Sequence, residues 1–141
     1  MRYNRRQGES KKMIGILLVT HGTLGESLIQ CACHVLNRRP HGLAQLGVSG
    51  QDDPLDILPT AQRWLEVVDE GDGVLILTDI FGATPGNIAL KLTCPGRVEC
   101  VAGVNLPMLL RALTYREKVD IEHLVAKVVS GGRDGVLHVI F

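Results

Sequence analysis

His21 closes an apolar run, Ile14-Gly15-Ile16-Leu17-Leu18-Val19, and lies in the segment Val19-Thr20-His21-Gly22-Thr23. A second apolar run, Val74-Leu75-Ile76-Leu77-Thr78, ends in Asp79 and continues into Phe81-Gly82-Ala83-Thr84-Pro85-Gly86-Asn87. A histidine nucleophile needs one ring nitrogen unprotonated and exposed. The other nitrogen must donate to a fixed acceptor, which sets the tautomer and offsets charge on the ring. Asp79 is a candidate for that acceptor if the two runs are neighbouring strands. A phosphoryl group on the imidazole also needs donors for its oxygens. Backbone N–H groups at a helix start or in a glycine-rich turn supply them without a basic side chain. Gly22 to Gly25 form one such stretch, and Gly82, Ala83 and Thr84 form another, with the Thr84 hydroxyl as an additional group.

Each feature alone has a plain structural reading. A histidine after a strand is commonly a packing or capping residue, an aspartate there can cap a turn, and Thr84-Pro85 is an ordinary start to a helix. The argument rests on their placement together, at the ends of two strands that share one crevice.

The elements that must position these residues alternate strand and helix. The patterning predicts strands over 14–19, 43–48, 74–78 and 98–102, with a last edge strand over 136–140. It predicts helices over 24–36, from Asp53-Pro54 to about Asp69, and over 84–92, 108–115 and 121–129. The first helix is expected to bury Leu24, Leu28, Ala32, Val35 and Leu36. Pro59 is expected to interrupt the second or shift its start. Gly131-Gly132-Arg133-Asp134-Gly135 reads as a turn. Continuous apolar strands separated by helices mean a parallel sheet covered on both faces, an α/β doubly wound fold. The strand order expected for this length is 2-1-3-4 plus the edge strand. His21 and Asp79 then meet at the topological switch point, where such folds bind ligands.

Composition narrows the function classes. The 141 residues carry 15 basic and 15 acidic side chains, so the formal net charge is zero and no nucleic-acid surface is indicated. No apolar run is long enough to span a bilayer and no signal-peptide pattern appears, so a cytoplasmic location is expected, with membrane contact only through other proteins. Residues 1–12 are polar and basic and read as a disordered leader ahead of a single domain over 13–141. A natural start at Met13 is the next reading, and a nucleic-acid arm the least favoured.

The Cys31-x-Cys33-His34 cluster invites a metal reading. On a helix, however, residues two apart point to different faces. Cys31, Cys33, Cys94 and Cys100 are therefore expected to be reduced and mostly buried, with no metal and no cofactor. His34, His41, His123 and His138 read as structural or surface residues.

With these residues in place, the chain resembles a known family. Leu18-Val19-Thr20-His21-Gly22, Asp79-Ile80-Phe81-Gly82-Ala83-Thr84-Pro85-Gly86-Asn87 and Ala102-Gly103-Val104-Asn105-Leu106-Pro107-Met108 are similar to the three signature segments of mannose-family enzyme IIA domains. These belong to the bacterial phosphoenolpyruvate:sugar phosphotransferase system. Gly132-Arg133-Asp134-Gly135-Val136 resembles the family's C-terminal turn. The resemblance runs from about Met13 to the end of the chain.

It implies that His21 accepts a phosphoryl group from the phosphocarrier HPr on Nε2, with Asp79 on Nδ1. It implies Gly22, Gly82, Ala83 and Thr84 around the phosphate, and Phe81, Asn105 and Pro107 in the partner-facing loop. It also implies a homodimer, through exchange of the last edge strand. Ala83 departs from a common family glycine, and Gly86 stands where many relatives carry a larger residue. Because the chain ends without a IIB domain, the next acceptor is expected to be a separate IIB protein or a regulatory target.

Rival readings remain at this stage. One is a partner-binding sensor that responds to His21 phosphorylation without onward transfer. Another is a subunit of a phosphotransferase-dependent dihydroxyacetone kinase, which shares the fold and the histidine. A histidine phosphatase would need an arginine where this chain has Thr20. A flavodoxin-like ligand binder would not require His21.

Overall fold

The computed structural model describes residues 13–140. The expectation for the leader, residues 1–12, lies outside them. The elements are β1 (Gly15–His21), α1 (Leu24–Leu36), β2 (Leu43–Val48), α2 (Pro54–Val68), β3 (Val74–Thr78), α3 (Thr84–Leu92), β4 (Val98–Ala102), α4 (Leu106–Tyr115) and α5 (Ile121–Asp134).

The sheet has four parallel strands in the order β2-β1-β3-β4. Val19 pairs with Thr78, so β1 and β3 end side by side. Side chains alternate across a strand, and both faces of this sheet are buried. Ile16 and Leu18 join a core with Ile29, Leu109, Leu124 and Val128 of α1, α4 and α5. Leu17 and Val19 join a second core with Ala61, Ile88, Ala89 and Leu92 of α2 and α3. The chain leaves β1 toward one layer and β3 toward the other, which opens the crevice between them.

Five expectations are corrected. The edge strand over 136–140 is not formed. Val136, Leu137, Val139 and Ile140 are each at least 65% exposed and carry no regular structure. The predicted turn at Gly131–Gly135 is instead mostly the end of α5, which continues to Asp134. Glycines there serve close packing rather than chain reversal. A methyl group on Gly132 would sit 2.7 Å from Met108 Cε, and one on Gly131 would sit 2.9 Å from the Arg111 stem.

The buried face of α1 is Gly25, Ile29 and Ala32, with Leu28 and Leu36 packed beside the core, whereas Leu24 and Val35 are exposed. Helix α2 runs from Pro54 to Val68 through Pro59. That proline removes one N–H at an exposed position of the helix, so the loss falls where the backbone is open to solvent. Of the cysteines, Cys31 and Cys94 are exposed and Cys33 and Cys100 half-buried, all four free. Burial pushes the Cys100 thiol up to about 11.

Candidate functional site

Thr20 is the last buried residue of β1, fully enclosed, and His21 is the first to emerge. The buried Thr20 hydroxyl accepts a hydrogen bond from the Gly25 N–H at 2.9 Å, which ties the first turn of α1 to the strand end. The loop between them crosses over β2. Gly22, in the left-handed region at φ +52°, donates its N–H to the Val48 carbonyl at 3.0 Å. A methyl on Gly47 of β2 would sit 2.1 Å from the Gly22 carbonyl oxygen, so that position must be glycine for the loop to lie where it does. The sequence does not disclose the structural roles of Thr20 and Gly47. The sole sequence signal was a hydroxyl residue at the strand end, five residues ahead of a glycine.

The Asp79 carboxylate meets His21 twice. Its Oδ2 accepts from the His21 backbone N–H at 3.0 Å and lies 2.7 Å from Nδ1 of the ring. Oδ1 accepts from the Ile80 N–H at 3.1 Å. Burial of the carboxylate opposes its ionisation, but hydrogen bonds from the His21 backbone, the ring and the backbone of Asp79 itself, with the ring's charge, together hold it below the usual aspartate range. An ionised carboxylate only accepts, so the neutral ring carries its proton on Nδ1 and presents Nε2 as the unprotonated nitrogen. The imidazole is 51% exposed while the carboxylate is 13% exposed. The base is therefore fixed from below and open from above, as a nucleophile requires.

The second glycine-rich stretch forms the start of α3. Gly82 turns the chain at φ +86°, with open space where a side chain would be. Ala83 is the N-cap, in extended conformation, and has no side-chain oxygen to accept from the first amides of the helix. The first intrahelical bond of this turn is Asn87 N–H to the Ala83 carbonyl, and Pro85 has no N–H. The Thr84 and Gly86 N–H groups precede that bond and point out of the helix start, where they favour an anion. Thr84 is therefore the first helical residue rather than the cap.

The predicted site residues divide into two groups. His21, Asp79, Gly82, Ala83 and Thr84 come together at the ends of β1 and β3. The Gly22 amide is committed to Val48, so Gly22 contributes a turn rather than a donor. Of the loop residues, Phe81 is 78% exposed and its neighbour Ile80 is 57% exposed, an apolar pair beside the histidine. Asn105 is turned inward: its Oδ1 accepts from Met108 N–H at 2.9 Å, and its Nδ2 donates to the Gly132 carbonyl at 3.0 Å. Pro107 lies at the start of α4, where a methyl on Gly135 would sit 2.4 Å from its ring. Asn105 and Pro107 thus hold α4 to α5. Thr20, fully buried, provides none of the positive charge that a histidine phosphatase places before its nucleophile. Among the described residues, no group of three His, Cys, Asp or Glu side chains is arranged to hold a metal ion, and no helix is long and apolar enough to cross a membrane.

Comparison with known proteins agrees with this geometry. The family described as PTS system fructose IIA component (EIIA-man) matches residues 15–129. The mannose-specific EIIAB component of Escherichia coli K12 is 30% identical over 125 residues, covering 87% of this chain and 38% of that protein. The chain therefore spans well under half of that relative's length. The phosphotransferase system component EIIA from Streptococcus agalactiae superposes with a TM-score of 0.79 at 25% identity, covering 89% of this chain and 97% of that one. The transcriptional regulatory protein LevR of Bacillus subtilis is 26% identical over 106 residues, 74% of this chain and 11% of that protein. With a parallel 2-1-3-4 sheet that sets an aspartate-bound histidine at its switch point, the chain belongs to the mannose/fructose enzyme IIA family of the sugar phosphotransferase system.

Proposed function

We propose that this protein is a cytoplasmic phosphocarrier that takes a phosphoryl group from the phosphohistidine of HPr onto Nε2 of His21. The observation that carries the reading is the 2.7 Å contact between Asp79 and Nδ1, on a ring that is otherwise half exposed. Nε2 attacks the phosphorus in line, the new N–P bond forms as the donor's N–P bond breaks, and the electron pair returns to the donor imidazole. Asp79 orients the ring and stabilises the positive charge that builds on it. The amides of Thr84 and Gly86 donate to the phosphoryl oxygens, aided by the Thr84 hydroxyl, so the charge is met without a basic side chain. The exposed Ile80 and Phe81 provide the apolar contact for the donor protein.

Onward transfer goes to a separate IIB protein or ends in a regulatory interaction. The likeness to a transcriptional regulatory protein supports the second outcome. Phosphorylation adds nearly two negative charges beside an apolar loop, which is enough to change partner choice.

The protein acts as a homodimer in this reading. The exposed segment 136–140 has a strand-forming sequence, and among the described residues no strand pairs with the outer edge of β4, which lies beside a cavity of about 320 Å³ lined by Val101, Met108, Val129 and Val136.

Intact mass after incubation with phosphoenolpyruvate, enzyme I and HPr tests the central claim. One acid-labile phosphoryl group on the wild type and none on folded His21→Ala is the expected result. No mass increase on folded wild type with a competent HPr would reject the activity.

A further inference from the structure

Three cations converge on one aromatic ring at the end of the molecule away from His21. Lys127 Nζ lies 4.4 Å from the Tyr115 ring centroid, Lys118 Nζ 5.3 Å and the Arg111 guanidinium 5.8 Å. They come from three segments: Arg111 from α4, Lys118 from the α4–α5 connection and Lys127 from α5. By contrast, Arg97 sits on Asp69 at 2.6 Å and His41 on Glu70 at 2.8 Å. None of these three has a carboxylate within ion-pair distance among the described residues.

The arrangement is partly built in advance. Tyr115 is half-buried and packs against the core. The Arg111 stem lies against Gly131, where a methyl would sit 2.9 Å from its Cβ and Cγ. A ring quadrupole attracts each exposed cation by only about 0.5–1 kcal/mol, which leaves the charge of the trio uncompensated.

The geometry points to a binding site for a soluble polyphosphate group, of the kind a nucleoside di- or triphosphate carries. Compactness favours this class. All three cations lie within 5.8 Å of one ring centroid, a span that a short phosphate chain can cover. The guanidinium supplies a planar fork for two phosphate oxygens, and the ammonium groups adapt as point charges.

Titration with inorganic triphosphate, followed by NMR and calorimetry, tests the inference. Saturable binding is expected, with shifts in the Tyr115 ring and the Arg111, Lys118 and Lys127 side chains, weakening as salt rises. Each of Arg111→Ala, Lys118→Ala and Lys127→Ala should weaken binding about two- to fivefold, the worth of one exposed ion pair. The triple variant should lose it while still accepting phosphate from HPr. Binding unchanged in the triple variant, shifts confined to the His21 and Gly82 loops, or preference for an acidic peptide or anionic vesicles over triphosphate would each overturn it.

Discussion

At the residue scale, the proposed function rests on what Asp79 does to an imidazole. The carboxylate fixes the proton on Nδ1 and supports charge on the ring, so Asp79→Asn leaves the shape and removes both effects. We expect phosphoryl transfer from HPr to slow by about 10–100-fold, by analogy with carboxylates that orient other functional histidines. Rapid-quench kinetics on a variant with unchanged circular dichroism measures this, and an unaltered rate would remove Asp79 from the mechanism. Thr84→Ala should cost less, because the backbone donors remain. The aspartate also links the site to pH. Its folded-state pKa lies below the ordinary value of 3.8, so its contribution to stability is present above that value and lost as pH falls through the lower, folded one. Acid unfolding of wild type and Asp79→Asn should therefore differ fully above about pH 3.8 and converge as pH falls through the lower, folded value.

At the element scale, the start of α3 makes the clearest prediction. An N-cap without a side-chain acceptor is a stability defect, and here the open amides are the proposed phosphate site. Ala83→Asp would provide the missing acceptor. It should stabilise the fold by about 1 kcal/mol and suppress phosphorylation of His21, since a carboxylate then occupies the anion position. Thermal unfolding and the mass assay together check the trade; a variant that gains stability and keeps full activity would place the phosphate elsewhere. The loop after β1 has its own requirement. Gly47→Ala introduces a methyl 2.1 Å from the Gly22 carbonyl, so the His21 loop must move, and the phosphorylation rate should fall with the sheet still formed.

At the scale of the whole molecule, two buried layers hold the crevice between them. Leu18 is fully enclosed in the layer formed with α1, α4 and α5, and Leu18→Ala should cost about 2–5 kcal/mol, read by denaturant unfolding. The segment 136–140 is the other global feature. Its apolar side chains face solvent in a single chain, so deleting residues 136–141 should convert a dimer to a monomer in light scattering. An equal mass for both proteins would place any interface elsewhere.

The order of strands and helices, and six of their nine element spans to within a residue at each end, were legible in the sequence. Apolar periodicity and the breakers Arg39-Pro40, Gly71 and Gly103 act locally, before any tertiary contact forms. The pairing of His21 with Asp79 was legible for the same reason, because strand order in a parallel α/β sheet is tightly constrained. Other outcomes depended on neighbours distant in sequence. Gly131 and Gly132 look like a turn, yet they lie in a helix because Arg111 and Met108 need the space a side chain would take. Asn105 looks like a loop residue available to a partner, yet its amide is spent on Gly132 and its oxygen caps α4. The Gly22 amide looks like a phosphate donor, yet β2 claims it. By itself, the sequence determined the sheet, the crevice and the histidine–aspartate pair. The tertiary structure alone decided which backbone donors remain free to meet a phosphate, because each hydrogen-bonding group is allotted only once the layers have packed.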